Sequence, residues 1–130
     1  MGMLDSKVVL VTGGGRGIGR DFSLAMARAG AKVVVNDLGS STDGQDVEGR
    51  PAQEVVKEIS DLGGEAVANF GSVSNYDDAK QMVTDAIDNF GQLDCVVTNA
   101  GILRDRMFHK MSIEEWHSVI DVHLHGTFYI

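Results

Sequence analysis

The chain has one cysteine, one proline and one tryptophan in 130 residues, and it is poor in positive charge, with 11 lysines and arginines against 19 acids. A lone cysteine, Cys95, has no partner for an internal disulfide, which suits a reducing cytosol. Its place within Leu93-Asp94-Cys95-Val96-Val97 predicts a small buried filler rather than a nucleophile. The formal charge of −8 argues against nucleic acid and anionic membrane as partners, and no basic stripe with interleaved aromatics offsets it. No apolar run approaches the ~20 residues of a membrane-spanning helix. Residues 1–7 are short and polar, which predicts no secretory leader. Four histidines complete no metal-ligand set, and His123 and His125, two apart on a helix, point in different directions. Asp43 and Asp46 lack the spacing of an EF-hand. Neither repeats nor low-complexity tracts occur. The expectation is one cytoplasmic domain over residues 1–130 with no metal.

What the chain does contain is alternation. Short valine-rich runs at residues 8–11, 32–35, 65–70 and 93–98 read as buried parallel strands. Helical patterns lie between them. Ile18, Phe22, Ala25, Met26 and Ala29 form one stripe, stopped by Gly30. Pro51 suits a first helical turn, with Val55, Val56, Ile59 and Leu62 on one face. Asn75 caps a third helix with Asp77 and Asp78 in its first turn and Gly91 at its end. The inner face of that helix reads Ala79, Met82, Val83, Ala86, Ile87 and Phe90. A fourth opens at Ser112 with Glu115 as a capping box, carries Trp116, Ile120 and Leu124 inward, and is still running at residues 127–130. The polar stretch at residues 39–50 reads as a long, mobile surface loop. Such alternation implies right-handed crossovers and a parallel sheet with helices on both faces.

Thr12-Gly13-Gly14-Gly15-Arg16-Gly17-Ile18-Gly19 joins the first strand to the first helix. A strand that turns through glycines into a helix offers amides and the positive end of the helix dipole to an anion. Side chains larger than hydrogen would keep a pyrophosphate off that backbone. Twenty residues past Gly17, at the end of the next apolar run, Asp37 stands where a ribose hydroxyl would lie.

The Gly-x-x-x-Gly-x-Gly turn at Gly13, Gly17 and Gly19, together with Asn99-Ala100-Gly101 after the fourth strand, resembles the short-chain dehydrogenase/reductase family. Within that family, residues 35–39, 66–69 and 101–106 and the triplet Val122-His123-Leu124 are similar to one branch, the (3R)-hydroxyacyl-CoA dehydrogenase domains of peroxisomal multifunctional enzymes and their bacterial relatives. The resemblance covers the whole chain, and the chain covers about half of the family's usual length. It implies a Rossmann-type, doubly wound α/β fold, here four strands in the order 3-2-1-4, cut off within the fourth helix. It also implies a nicotinamide cofactor, a small alcohol or ketone substrate and a homo-oligomer in the complete protein. Gly13, Arg16, Gly17, Ile18 and Gly19 would line the pyrophosphate and adjoining ribose, Asp37 the adenosine ribose, and Leu38 the adenine. Ser72 and Val73 would border the adenine edge, and Asn99, Ala100 and Gly101 the nicotinamide-side ribose. Thr98 replaces the first Asn of the commoner Asn-Asn-Ala-Gly form, and Ser72 stands where the family often has Asp. Asp37 favours NAD, because a carboxylate there repels the 2′-phosphate of NADP; Arg16 pulls the other way.

The family's catalytic Ser and Tyr-x-x-x-Lys lie beyond the fifth strand, past the last residue of this chain, so no catalytic residue is assigned and the chain alone is expected to be inactive. Tyr76-x-x-x-Lys80 has the right spacing but opens the third helix, far from any nicotinamide, and two neighbouring acids would raise the phenol's pKa. His123 occupies the family's active-site Asn position. It reads either as a member of a proton relay or, the reading favoured, as a histidine packed on the face of Trp116 and Ile120. Arg104 and Arg106 could meet an anionic substrate such as a coenzyme A ester, or be solvated or paired. The alternatives to a dehydrogenase part are a dinucleotide-binding module without turnover and a fragment that does not fold alone.

Overall fold

The computed structural model describes residues 2–39 and 50–130. The expected loop at 39–50 and the expectation against calcium at Asp43 and Asp46 fall almost wholly outside them. Four strands, β1 (Val8–Thr12), β2 (Lys32–Asn36), β3 (Ala66–Asn69) and β4 (Cys95–Thr98), form one parallel sheet in the order β3-β2-β1-β4. The expected order is therefore the observed one. Val9 lies opposite Val33 on one side and Cys95 on the other, and Val33 opposite Ala66.

Because side chains alternate along a strand, the two faces carry separate cores. Val9, Val11, Val33 and Val35 face α1 (Gly17–Arg28) and α2 (Pro51–Asp61), where Leu24, Ala52, Val55 and Ile59 are buried against them. Val8, Leu10 and Val34 face α3 (Tyr76–Phe90), which contributes Met82 and Ala86. Each fully buried valine or leucine contributes about 1.5–3 kcal/mol over its exposed state. Asn75 caps α3 by accepting from the Asp78 amide, and Gly91 closes it in the left-handed conformation. A 3₁₀ turn (Phe108–Lys110) precedes α4 (Ile113–Ile120), whose capping box of Ser112 and Glu115 is formed.

Several expected burials are corrected. Helix α1 buries Gly19, Ser23 and Leu24, whereas Ile18 and Phe22 of the expected stripe are exposed. The helix lies close enough to the turn before it that Ser23 Oγ donates to the Gly14 and Gly19 carbonyls, and small residues permit that approach where bulky ones would not. The fourth helix is not uniform: a π-helical turn (Asp121–His125) separates α4 from the short α5 (Gly126–Tyr129). Its inward face runs through Val122, Gly126 and Ile130, so Trp116 and Leu124, expected inside, are 53% and 62% exposed. Leu62 and Ile87 are likewise exposed at the rims of their helices. Cys95 is exposed rather than a buried filler, because β4 is an edge strand paired only with β1 among the described residues. β3 and β4 are shorter than the apolar runs suggested, starting at Ala66 and Cys95. Among the described residues no helix is long and apolar enough to cross a membrane.

Candidate dinucleotide cleft

The strand order reverses between β1 and β4, so the crossovers leaving these strands diverge to opposite faces and open a crevice at the strand ends. A cavity of about 460 Å³ lies there. All twelve residues assigned from sequence to cofactor binding line it: Gly13, Arg16, Gly17, Ile18, Gly19, Asp37, Leu38, Ser72, Val73, Asn99, Ala100 and Gly101. Sequence reasoning missed four others, Asn36, Gly71, Ile102 and Val122.

The glycine turn is built by close contact. A side chain at Gly19 would collide with the Gly13 carbonyl and the Asn99 amide group, so only hydrogen fits there. Gly17 has φ of +54°, and a β-carbon there would meet nothing within 4 Å, so its constraint is backbone conformation rather than space. The amides of the turn divide into two sets. Gly14 donates to the Asn36 carbonyl at 2.7 Å and Gly15 to Asp37 Oδ2 at 3.0 Å, so these are used inside the fold. Those of Gly17, Ile18 and Gly19 belong to the first turn of α1, whose amides have no carbonyl ahead of them within the helix. These are the donors the cleft offers to an anion.

Asp37 is nearly buried and accepts two main-chain bonds, from Gly15 on Oδ2 and from Gly39 on Oδ1 at 2.8 Å. Each carboxylate oxygen accepts more than one bond, so both retain capacity for hydroxyl donors. The opposite rim depends on Thr12, which the sequence reading placed at the head of the glycine turn with no role of its own. Its buried hydroxyl accepts from the Asn99 and Ala100 amides at 3.1 Å, while Asn99 Nδ2 donates to the Thr12 and Gly13 carbonyls. The two sides of the cleft are thereby tied together. A polar residue closing an otherwise apolar strand was the available signal.

The turn after β3 rests on a second polar network. Asn36 Nδ2 donates to Asn69 Oδ1 and to the Gly71 carbonyl, both at 2.9 Å, and Asn69 Nδ2 donates to Asp85 at 2.7 Å. Ser72 presents its amide to Asp78 Oδ2. Asparagine in a valine-rich strand, as in Val35-Asn36, was the visible sign of this network, since buried amides require partners.

His123 is exposed, which corrects the packed reading. Its Nε2 lies 3.2 Å from the Ile102 amide and 3.0 Å from the Ile102 carbonyl. Tyr76 is 60% exposed and stacks edge-on with Tyr129 outside the cleft. Arg106 pairs with Glu115, and Arg104 donates to the Leu103 carbonyl. The Ser112 amide, and then Arg106, hold the Glu115 carboxyl below its ordinary range against the opposing effect of burial. No group of three potential metal ligands occurs among the described residues.

The family model described as short chain dehydrogenase matches residues 7–130. The peroxisomal multifunctional enzyme type 2 of Drosophila melanogaster is 49% identical over 95% of this chain and 20% of its own length. A hydroxyacyl-CoA dehydrogenase of Mycobacterium tuberculosis is 46% identical over 96% of this chain and 38% of its own. The crystal structure of a short chain dehydrogenase from Mycobacterium avium superposes with a TM-score of 0.90 at 50% identity, covering 98% of this chain and 44% of that one. The chain thus spans less than half the length of each.

Proposed function

The chain belongs to the short-chain dehydrogenase family, and on that premise we propose that it holds NAD in the cleft at the ends of β1, β2 and β4. In the complete protein this would serve hydride exchange with a secondary alcohol or ketone. The observation that carries the reading is the arrangement of Asp37, a nearly buried carboxylate tied to the glycine turn and facing the same cavity as the first-turn amides of α1. The fit is chemical. Helix-end amides suit a diphosphate, a carboxylate suits two ribose hydroxyls, and open glycine backbone lets the anion approach.

When bound, the nicotinamide supplies or accepts the hydride. What these residues do is hold and orient. Gly17, Ile18 and Gly19 would bind the diphosphate and Asp37 the adenosine ribose, with Leu38, Ser72 and Val73 around the adenine. Asn99, Ala100 and Gly101 would carry the nicotinamide-side ribose, on a rim that Thr12 holds rigid. Asp37 favours NAD over NADP, since a 2′-phosphate would be repelled by the like charge of a nearly buried carboxylate. The name of the Mycobacterium tuberculosis relative supports a hydroxyacyl-CoA as substrate. Exposed Ile113, Trp116, Leu124 and Phe128 on the fourth helix support a homo-oligomer, and the lone cysteine supports a cytoplasmic setting.

A second reading, a dinucleotide-binding module without turnover, rests on Tyr76 lying outside the cleft. Titrating the isotope-labelled chain with NAD, and separately with NADP, tests the binding both readings share. NAD is expected to bind the more tightly and to move the amide signals of Gly17, Ile18, Gly19, Ser72 and Ala100. Saturable binding that moves only signals elsewhere, or no binding, would overturn it. Turnover of a 3-hydroxyacyl-CoA by the full-length protein then separates enzyme from module.

A further inference from the structure

His123 sits in the middle of the π-helical turn, and one of its nitrogens lies within reach of two main-chain groups that it cannot serve at once. Nε2 is within hydrogen-bond distance of both the Ile102 amide, at 3.2 Å, and the Ile102 carbonyl, at 3.0 Å. A ring nitrogen accepts when it is bare and donates when it carries a proton; it does not do both. We propose that His123 is a positioning residue whose protonation decides which main-chain group of Ile102 it holds, and so where the rim of the cleft at residues 101–102 rests.

Three further observations join the ring to the cleft. Gly101 lies directly beneath it, close enough that a β-carbon there would stand 2.7 Å from Cε1, and Gly101 and Ile102 both line the cavity. The turn itself is pinned, because Thr127 Oγ1 donates to the His123 carbonyl at 2.7 Å. Three residues further on, Gly126 is pressed against Val73, with a β-carbon there only 2.9 Å from Val73 Cγ2. One helical segment therefore touches the cleft at both the Gly101 side and the Val73 side. Single π turns inside α-helices occur frequently at functional sites.

The direction of the effect follows from the imidazole's chemistry. A neutral ring protonated on Nδ1 accepts from the Ile102 amide, and the other neutral tautomer donates to the carbonyl. The charged ring has donors only, so lowering the pH removes the amide contact and leaves the carbonyl contact, strengthened by charge. Several ionisable groups on the surrounding elements are engaged with one another or with other partners. Asp121 and His125 of the same turn pair at 2.9 Å, and Glu115 of α4 pairs with Arg106 of the gripped loop. Arg104 donates to Leu103, and Tyr129 of α5 meets Tyr76 of α3. Asp105 lies on the loop, His109 and Lys110 on the 3₁₀ turn, and Glu114 and His117 on α4, with Arg16 and Asp37 across the cleft. Among the described residues the side-chain hydrogen bonds of His123 go to Ile102.

The switch stands on this geometry alone; its effect on cofactor affinity rests on the dinucleotide reading above. The test is a titration of the labelled 130-residue chain from pH 5 to 8, following the Ile102 amide and the rings of all four histidines. The Ile102 signal is expected to move with the midpoint of His123, not with those of His109, His117 or His125. In His123→Gln, whose amide reaches about as far as Nε2 and does not titrate, the Ile102 signal is expected to stay fixed. NAD affinity in the native chain should change about two- to tenfold over that range, as for one exchanged hydrogen bond, and stay flat in the variant. An Ile102 amide that ignores the titration of His123 overturns the proposal, and the native chain alone decides this if the variant does not fold. Absence of NAD binding with a normal Ile102 titration would sink the cofactor reading and leave the switch standing.

Discussion

The Asp37 carboxylate and the Gly15 amide meet at 3.0 Å, which ties the end of β2 to the turn that opens α1. The same carboxylate thus shapes the glycine turn and faces the cavity. On the proposed reading the two would separate experimentally, because the first would affect every ligand of the cleft and a hold on the ribose only those with a free 2′-hydroxyl.

Asp37→Ala should therefore weaken NAD binding about 10- to 100-fold, the range for loss of charge-assisted hydrogen bonds. NADP binding should fall much less, since the loss of the Gly15 tie is partly offset by relief of repulsion from the phosphate. Calorimetric titration of both nucleotides measures the ratio. Equal losses would remove the argument for NAD.

Gly19→Ala should destabilise the fold by about 3 kcal/mol, the upper range for overpacking a tight site. The added methyl would collide with the Gly13 carbonyl, which is backbone and held in place by Asn99 at 3.0 Å, so nothing nearby yields cheaply. Gly17→Ala meets no atom and strains only the backbone, so it should cost less. Urea denaturation of the two variants gives the order, and the reverse order would contradict this account of the turn.

Asp94 accepts from the Val8 amide at 2.8 Å and also from Lys7 and Gln92, and these bonds hold its carboxyl below the ordinary value of 3.8. Its folded-state pKa is depressed, so its contribution to stability is present above pH 3.8 and is lost as the pH falls through the lower folded value. Asp94→Ala should lower the melting temperature at pH 7, and the gap from the native chain should close as the solution is acidified below pH 3.8. A gap that does not depend on pH would show that Asp94 acts through packing instead.

Ser112→Ala removes the acceptor of the Glu115 amide, and with it half of the capping box of α4. The cost should be about 1 kcal/mol. Hydrogen exchange should rise at Glu114 and Glu115 first, because the loss is confined to the first turn. Uniform acceleration along the helix would mean that the cap organises the whole segment.

The alternation of strands and helices was legible from the residues alone, whereas the strand order and most of the cleft residues followed from the family resemblance, and Asn36, Gly71, Ile102 and Val122 were missed. Valine-rich runs separated by amphipathic stretches leave few arrangements other than a parallel sheet, and the glycine spacing places the turn. The faces of the helices were less legible. In α1 Ile18 and Phe22 of the apolar stripe are exposed, since close approach to the glycine turn selects Gly19 and Ser23, and a hydrophobicity pattern cannot register a preference for smallness. In the fourth helix the packed side runs through Val122, Gly126 and Ile130 and leaves Trp116 and Leu124 exposed, and a hydrophobicity pattern does not register that a glycine, Gly126, marks the side pressed against Val73.

The sequence by itself determined the alternation of elements, the glycine turn and the acid at the end of β2, because each follows from local chain geometry and spacing. Only the tertiary structure decided which amides of that turn remain for an anion, that Thr12 joins the two rims, and that His123 reaches Ile102. Those depend on contacts between residues 21 to 88 positions apart, and hydrogen bonds over such separations exist only once packing has brought the strand ends together.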